Sequence, residues 1–490
     1  MAKLGWMALA MLVVGCGNSA SHGDLGMDAG VSDLATPDLS PQPTVITGTN
    51  LVPTKSLLAL GLTKDNTILF QDGIAMKEIP IAGGTVQTVD PAVGMDANGF
   101  PAMRIRGKVV FSWSGTDPTT NTGSLTVWTT AGGAQALSSG SLIGSVSASP
   151  DGMYIIYTDN VSASGTTADL YVAKSDGTAK HLVVSGRSID PSCPPIVAAA
   201  NGMFLASYCG DAGDAGPSPA TISVVDPTTG TPTVLFTNAT DFFSVDSSGT
   251  KVFSIDSNNM GMVRTIGTVG ATVIDTSVSD GFITLDGSAV VYSTLDGALK
   301  RATVATPAPT TLMSMNVNGI DGVAGDQTYL VFSNMFDQNS GLYDMFVAKT
   351  EVAGNPVTLD AMPTGSLYGD PFTTDDKYVV FYTDVDTTDF AGTLNSLPVK
   401  MVGQQNQIAT RVWLSFAAGG SKFLYNDGYV STTTGGTATL KSVDLSTAAP
   451  ATIIATKAEQ DFFISTDNTQ VVYVDNSVKG KEGLYVAPIP

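Results

Sequence analysis

The sequence predicts an all-β chain assembled from small antiparallel sheets that repeat. Three observations carry this expectation. Short apolar runs recur ten times: Ile68-Leu69-Phe70, Val109-Val110-Phe111, Ile155-Ile156-Tyr157, Phe204-Leu205-Ala206, Val252-Phe253-Ser254, Val290-Val291-Tyr292, Leu330-Val331-Phe332, Val379-Val380-Phe381, Phe423-Leu424-Tyr425 and Val471-Val472-Tyr473. Their spacings of 41, 46, 49, 48, 38, 40, 49, 44 and 48 residues average about 45, and the third position is aromatic in eight of the ten. Turn dipeptides stand before most runs, among them Asp151-Gly152, Asn201-Gly202, Asp286-Gly287 and Asp467-Asn468. Finally, 40 Asp stand against 4 Glu. Glu favours helices whereas Asp belongs in turns and caps, so helical repeats of similar period are excluded. A period of about 40–45 residues with four short strands is that of a propeller blade. The predicted fold is therefore a β-propeller of four-stranded blades with about ten sequence repeats. The absence of a Pro/Gly-rich linker near the middle favours one ring over two five-bladed rings, or over eight blades with extra hairpins.

Taken in order, the chain opens on residues 1–15, with Lys3 at the start and an apolar run from Leu4 to Val14. That run is too short for the roughly 20 residues of a membrane-spanning helix and has the form of a secretory signal. It ends Val13-Val14-Gly15-Cys16, which resembles the lipobox of bacterial lipoproteins. The resemblance implies cleavage before Cys16 and lipid on its thiol, which anchors the chain to a membrane. Gly17, rather than Asp, follows Cys16, and by the Gram-negative sorting rule this implies the outer membrane. Residues 16–43 then form an acidic tether. Asp24, Asp28, Asp33 and Asp38 keep it solvated, and it holds too little apolar surface to fold.

Residues 44–490 are the propeller. The tenth repeat ends at Pro490 after its third strand, and the strand-like run 44–49 has no blade of its own. Pairing 44–49 into the last blade closes the ring and removes two open edges. Inside each repeat, a tight turn joins two inner strands, a third strand follows as in Ala168-Asp169-Leu170-Tyr171-Val172-Ala173, and Asp176-Gly177 leads to a fourth. Residues 147–184, with Ser149-Pro150-Asp151-Gly152, Asp169-Leu170-Tyr171-Val172 and Asp176-Gly177, resemble the TolB-type propeller repeat. The tenth repeat keeps that skeleton in Ser465-Thr466-Asp467-Asn468 and Gly483-Leu484-Tyr485-Val486.

Two cysteines remain for the exported part. Cys193 and Cys209 lie eight residues on either side of Asn201, the expected turn of repeat four. Opposed positions in antiparallel strands lie near bridging distance, so a disulfide is expected. The chain has only two His, His22 in the tether and His181 on an outer strand. Neither a Ser-His-Asp triad nor a His-based zinc site can be built from them. No Gly-x-Ser-x-Gly elbow, Walker loop or Rossmann fingerprint is present. A net charge of −21 argues against nucleic acid as a partner.

Carboxylates are the remaining chemistry. The loops between second and third strands carry Asp117, Asp159, Asp211, Asp214, Asp337, Asp384, Asp386 and Asp389. Asp384, Asp386 and Asp389 form the densest cluster. Hard oxygen donors at that density suit Ca²⁺, but an EF-hand spacing is missing and Asp is also the ordinary turn residue, so no metal site is assigned. The inner runs Phe242-Phe243-Ser244-Val245, Phe282-Ile283-Thr284-Leu285 and Phe462-Phe463-Ile464-Ser465 are apolar or hydroxyl-bearing rather than acidic. The expectation is a membrane-anchored, non-catalytic binding or scaffolding module with no cofactor. Its protein, peptide or glycan partner docks on the acidic loop face. The alternative is a Ca²⁺- or carboxylate-dependent propeller hydrolase of the lactonase or glycosidase kind.

Overall fold

The computed structural model describes residues 46–490 except 47, 55–56, 163–164, 189–195, 210–219, 315–316, 338–341, 355, 365–370, 387, 390, 401–404, 433–434, 448, 460 and 477–479. Every regular element among the described residues is a strand. Six sheets have four strands, one has three and one has eleven. The eleven-stranded sheet resolves into three meanders, 146–188, 196–239 and 239–275, so the chain forms ten blades in sequence. The chain is a β-propeller. Blades 1 and 2 are 57–90 and 103–142; blades 6 to 10 are 278–313, 317–364, 372–412, 415–459 and 462–488. In blade 8 the inner strand shrinks to one bridge, Phe372 with Val379.

Each recurring apolar run is the second strand of its blade, and its side chains point alternately to the two neighbouring blades. Ile68 and Phe70 pack with Val472 and Leu484 of blade 10, while Leu69 packs with Met103 and Val110 of blade 2. The same alternation holds for Val379 and Phe381 against Val380. The aromatic third residue faces the preceding blade in blade 1, and again in Tyr157, Tyr292, Phe332, Phe381, Tyr425 and Tyr473. In blade 2 the phase slips by one, and Phe111 faces blade 3 beside Trp113. Buried clusters fill every junction from blade 1 to blade 10, and a further one packs the last blade on the first. Each fully buried side chain of this size contributes about 1.5–3 kcal/mol of transfer free energy, so the junctions hold the molecule together.

The inner turns depart from the expected two-residue hairpins. Only blades 2 and 4 have them: Asn201 and Gly202 both take positive φ, 47° and 76°, between the paired Ala200 and Met203. In blades 3, 6, 8 and 10 a hydroxyl-carboxylate lock builds a longer turn. The Ser149 hydroxyl donates to Asp151 at 2.6 Å and accepts the N–H of Tyr154 at 2.9 Å, while Asp151 accepts the N–H of Met153 at 2.9 Å. Thr284–Asp286, Thr373–Asp375 and Ser465–Asp467 repeat the donation at 2.6, 2.8 and 2.6 Å. The Ser-Pro-Asp-Gly pattern of repeat three is thus one spelling of a turn that other blades write with different residues.

Two joints are unusual. The strand Pro232–Val245 runs for 14 residues as the outer strand of blade 4 and then the inner strand of blade 5. A bulge between Ala239 and Phe243, preceded by Asn238 at φ 62°, bends it round the corner. The N-terminal strand does occupy the last blade, but not over 44–49. Thr49–Val52 pairs with Gly483–Pro488, opposing Thr49 to Val486 and Val52 to Leu484. Residues 44, 45 and 47 lie outside the described residues. Ile46 donates its N–H to the Ile453 carbonyl of blade 9 at 2.9 Å and packs in the junction of blades 9 and 10. The strand starts later because the apolar pair that reaches the junction of blades 10 and 1 is Leu51-Val52. Gly48 carries the crossing between them: a Cβ there would meet the Tyr473 hydroxyl at 2.4 Å.

A chain shortened to begin after Val52 leaves the edge of Gly483–Pro488 unpaired and uncovers part of the cluster around Leu484. It is expected to self-associate and to melt earlier, read by light scattering and calorimetry. A monomer with the full chain's melting temperature contradicts the role given to this strand.

Candidate functional site

The two faces of the disc use their acidic residues differently. On the face of the inner turns, neighbouring blades are tied turn to turn. Lys64 donates its N–H to the Gly107 carbonyl at 2.8 Å, and Leu285 donates its N–H to the Gln327 side chain at 2.6 Å. Gly325 and Asp326 donate theirs to the Asp376 carboxylate at 2.7 and 2.8 Å. The Ser421 hydroxyl donates to Asp375 at 2.6 Å, and the Thr466 N–H to Asn66 at 2.8 Å. These bonds show in the carboxyl groups. The Thr284 hydroxyl and the Ser288 N–H hold Asp286 down at about 2. Burial opposes ionisation of Asp375, but hydrogen bonds from Lys377, Ser421 and Thr373 override it and hold this group at about 2 as well. Asp on this face is structural.

On the opposite face the expected acidic loops are largely strand ends. Asp117, Asp159 and Asp337 are the last residues of the strands Val109–Asp117, Tyr154–Asp159 and Tyr329–Asp337. Asp211 and Asp214 lie outside the described residues. Several carboxylates here are matched by a cation of the same or the next blade: Asp72 with Lys77 at 2.6 Å, Asp159 with Lys180 at 2.8 Å, Asp275 with Lys300 at 3.2 Å, and Asp427 with Lys441. Lys180 also lies over the Tyr171 ring, 4.1 Å from its centre.

The Asp384, Asp386 and Asp389 cluster follows the same rule. Arg411 pairs with Asp389, reaches Asp386 at 4.0 Å, and donates from Nε to the Tyr429 carbonyl at 3.1 Å. Asp386 also accepts the Thr388 N–H at 2.8 Å, the main cause of its lowered pKa. Asp384 stands apart at φ 51°, its carboxylate accepting the Thr383 hydroxyl at 3.3 Å. The three carboxylates do not converge, and a guanidinium already holds two of them. This loop does not fit a Ca²⁺ site, and among the described residues no group of three or more His, Cys, Asp or Glu is placed to hold a metal ion.

Of the cysteines, Cys16 and Cys193 lie outside the described residues. Cys209 ends the strand Met203–Cys209, opposite Ser188 on one side and Ala220 on the other. The hairpin before it pairs Ala200 with Met203 and Ile196 with Ser207, one residue out of the register that placed Cys193 directly across from Cys209.

The inner strands hold what the sequence reading missed. They are not free of acid: Asp280 lies on Val278–Ile283 of blade 6 and Asp321 on Val317–Val323 of blade 7. Asp280 accepts the N–H of Ile320 in the next blade at 3.0 Å, as the Ser244 hydroxyl accepts that of Ile283 at 2.9 Å. Asp321 is the extra residue of a β-bulge between Ile320 and Gly322, a device that re-aims a side chain. Solvent reaches it, yet the surrounding protein makes burial the main force that pushes its carboxyl up to about 7. The Ser333 hydroxyl at 3.4 Å opposes this rise and the charge of Asp280 adds to it. A carboxyl poised near neutrality beside a second carboxylate marks a candidate site. The only signal in the sequence was the pair Asp280-Gly281 and Asp321-Gly322, and Asp-Gly reads as a turn. Five blades away, the inner strand Met103–Arg106 carries Arg104 and Arg106.

No family model matches the chain, and no curated protein does. Solved structures do. A eukaryotic initiation factor aligns at 11% identity and a TM-score of 0.46, over 72% of this chain and 88% of that one. Dipeptidyl peptidase 4 of Porphyromonas gingivalis aligns at 9% identity and 0.45, over 83% and 60%. An oligogalacturonate lyase, solved in complex with manganese, aligns at 14% identity and 0.37, over 79% and 98%. Identities this low speak to the propeller fold alone. The solved structures it resembles include a lyase, a dipeptidyl peptidase and the tricorn protease. The expectation that the chain is not an enzyme is corrected by the chain's own residues, because Asp280 and Asp321 stand on its inner strands. The acid-free inner strands on which that expectation leaned are not acid-free.

Asp321 gives a pH test. Its proton is held more tightly folded, at about 7, than at its ordinary 3.8, so the stability it contributes is complete below 3.8 and is lost as the pH rises through about 7. Asp321→Asn is therefore expected to show no gain in melting temperature below 3.8, a gain over the wild type that grows between 3.8 and about 7, and a constant gain above that. A pH-independent difference contradicts the placement of this carboxyl.

Proposed function

We propose that this chain is a lipid-anchored propeller lipoprotein of the Gram-negative outer membrane, with TolB-like repeats, that takes its ligand at the inner strands of blades 6 and 7. The observation that carries the reading is the Asp280–Asp321 pair, one member aimed by a bulge and poised near neutrality. A carboxyl titrating near neutral pH both donates and accepts hydrogen bonds, and Asp280 adds further acceptor oxygens beside it. Such a pair suits peptide amines or glycan hydroxyls. The loop face is the weaker candidate because Asp159, Asp386, Asp389 and Asp427 already face Lys or Arg. Val13-Val14-Gly15-Cys16 supports the anchor.

The same pair favours a second reading, carboxylate-dependent hydrolysis. A protonated carboxyl beside a carboxylate is the arrangement that supplies a general acid and a base to one bond. Immobilised wild-type chain is expected to capture a peptide or glycan from outer-membrane extracts, and the double variant Asp280→Asn/Asp321→Asn to lose it while keeping its melting behaviour. Identical capture by both chains contradicts the site. Cleavage of the captured material with a pH limb near 7, abolished by Asp321→Asn alone, selects the hydrolytic reading. The anchor is tested separately: Cys16→Ala is expected to move the chain out of the detergent phase, and an unchanged partition contradicts lipidation.

A further inference from the structure

A cavity of about 470 Å³ opens on the face of the inner turns, toward the rim, where blades 6, 7 and 8 meet. The end of the outer strand of blade 6, the third-to-fourth-strand turn of blade 7 and the end of the third strand of blade 8 enclose it. Met313, Tyr329, Val347, Val357 and Val399 make its walls apolar, and the charged groups on its lining are Lys349 and Lys400. Among the described residues no acidic one lines it; Glu351 stands beside the lining residue Val352 without joining it. Val352 is 62% exposed, which leaves an apolar side chain at the mouth.

Two features set this place apart. The chain carries a net charge of −21, and its ion pairs engage Lys77, Lys108, Lys180, Lys300, Lys377 and Lys441. Lys349 and Lys400 are among the described lysines with no such carboxylate partner, as are Lys64, Lys174, Lys251, Lys422, Lys457 and Lys481, and they are the two that line this cavity. They share one cavity whose volume falls in the usual ligand range of about 300–1,000 Å³. Apolar walls beneath a pair of ammonium groups complement a molecule with an apolar body and an anionic head.

We propose that this pocket binds an amphipathic anion, its carboxylate held by Lys349 and Lys400 and its hydrocarbon part against Met313, Val347 and Val357. The site is separate from the Asp280–Asp321 pair and opposite to it in charge preference, so either can fail without the other.

Decanoate serves as the probe, with decylamine and acetate as controls, titrated calorimetrically into the folded chain. Decanoate is expected to bind, and decylamine and acetate to bind far more weakly. Lys349→Glu/Lys400→Glu is expected to weaken decanoate by about tenfold or more. Ala353→Trp, at an exposed position of the lining, is expected to weaken it by filling the cavity, with melting temperatures confirming that both variants fold. Absence of decanoate binding to the wild type, equal binding of decylamine, or unchanged affinity in either variant overturns the proposal.

Discussion

The structure depends on one constraint: the second strand of every blade is buried on both faces, and the two faces belong to different neighbours. Leu330 and Phe332 need blade 6, while Val331 between them needs blade 8. No blade can bury its own apolar surface, so stability accrues only between blades, as in other repeat proteins. A linear stack would leave two such surfaces bare. The chain answers by packing Val472, Val474 and Leu484 of the last blade on Ile68 and Phe70 of the first, with Val52 of the N-terminal strand in the same cluster.

That constraint explains what was legible in the sequence. Strands buried on both faces appear as unbroken apolar triplets with a fixed period, and ten triplets gave ten blades. Turn residues with positive φ stood where expected in Gly152, Asn201, Gly202, Gly287 and Asn468, whereas Gln327 and Asp376 adopt the same conformation without the usual residue type. What failed to read was set by contacts between distant segments. The closing strand moved from 44–49 to Thr49–Val52 because the cluster selects Leu51 and Val52, which local pattern cannot rank. Asp280 and Asp321 were hidden because an Asp-Gly pair inside an inner strand has the spelling of a turn. The cation that answers Asp389 is Arg411, 22 residues on, too far for a spacing rule.

The distribution of charge follows from the same architecture. Forty Asp suggest a broad acidic surface, but the fold consumes many of them. On one face they accept hydroxyls and backbone N–H groups, which holds the turns in register from blade to blade. On the other they meet Lys and Arg at strand ends. Exposed pairs of this kind are worth little each, about 0–1 kcal/mol, so their effect is to shape the field rather than to secure the fold. The inner strands depart from both patterns, since a bulge there presents Asp321 to solvent within a wall of protein.

The strand Pro232–Val245 serves two blades without a connecting loop, and Ser188 pairs with Cys209 across the preceding joint. Most blades are therefore beads joined by short links, but blades 3, 4 and 5 are cut from one piece of sheet. A loop can absorb an inserted or deleted residue; a continuous strand cannot, because a shift of one residue reverses every side chain beyond it. In lineages that gain or lose blades by duplication, the break points should spare the joint of blades 4 and 5 and fall at the looped joints. The arc of blades 3, 4 and 5 would move as a single plate when the ring flexes, leaving the strain to be taken up elsewhere around the circle.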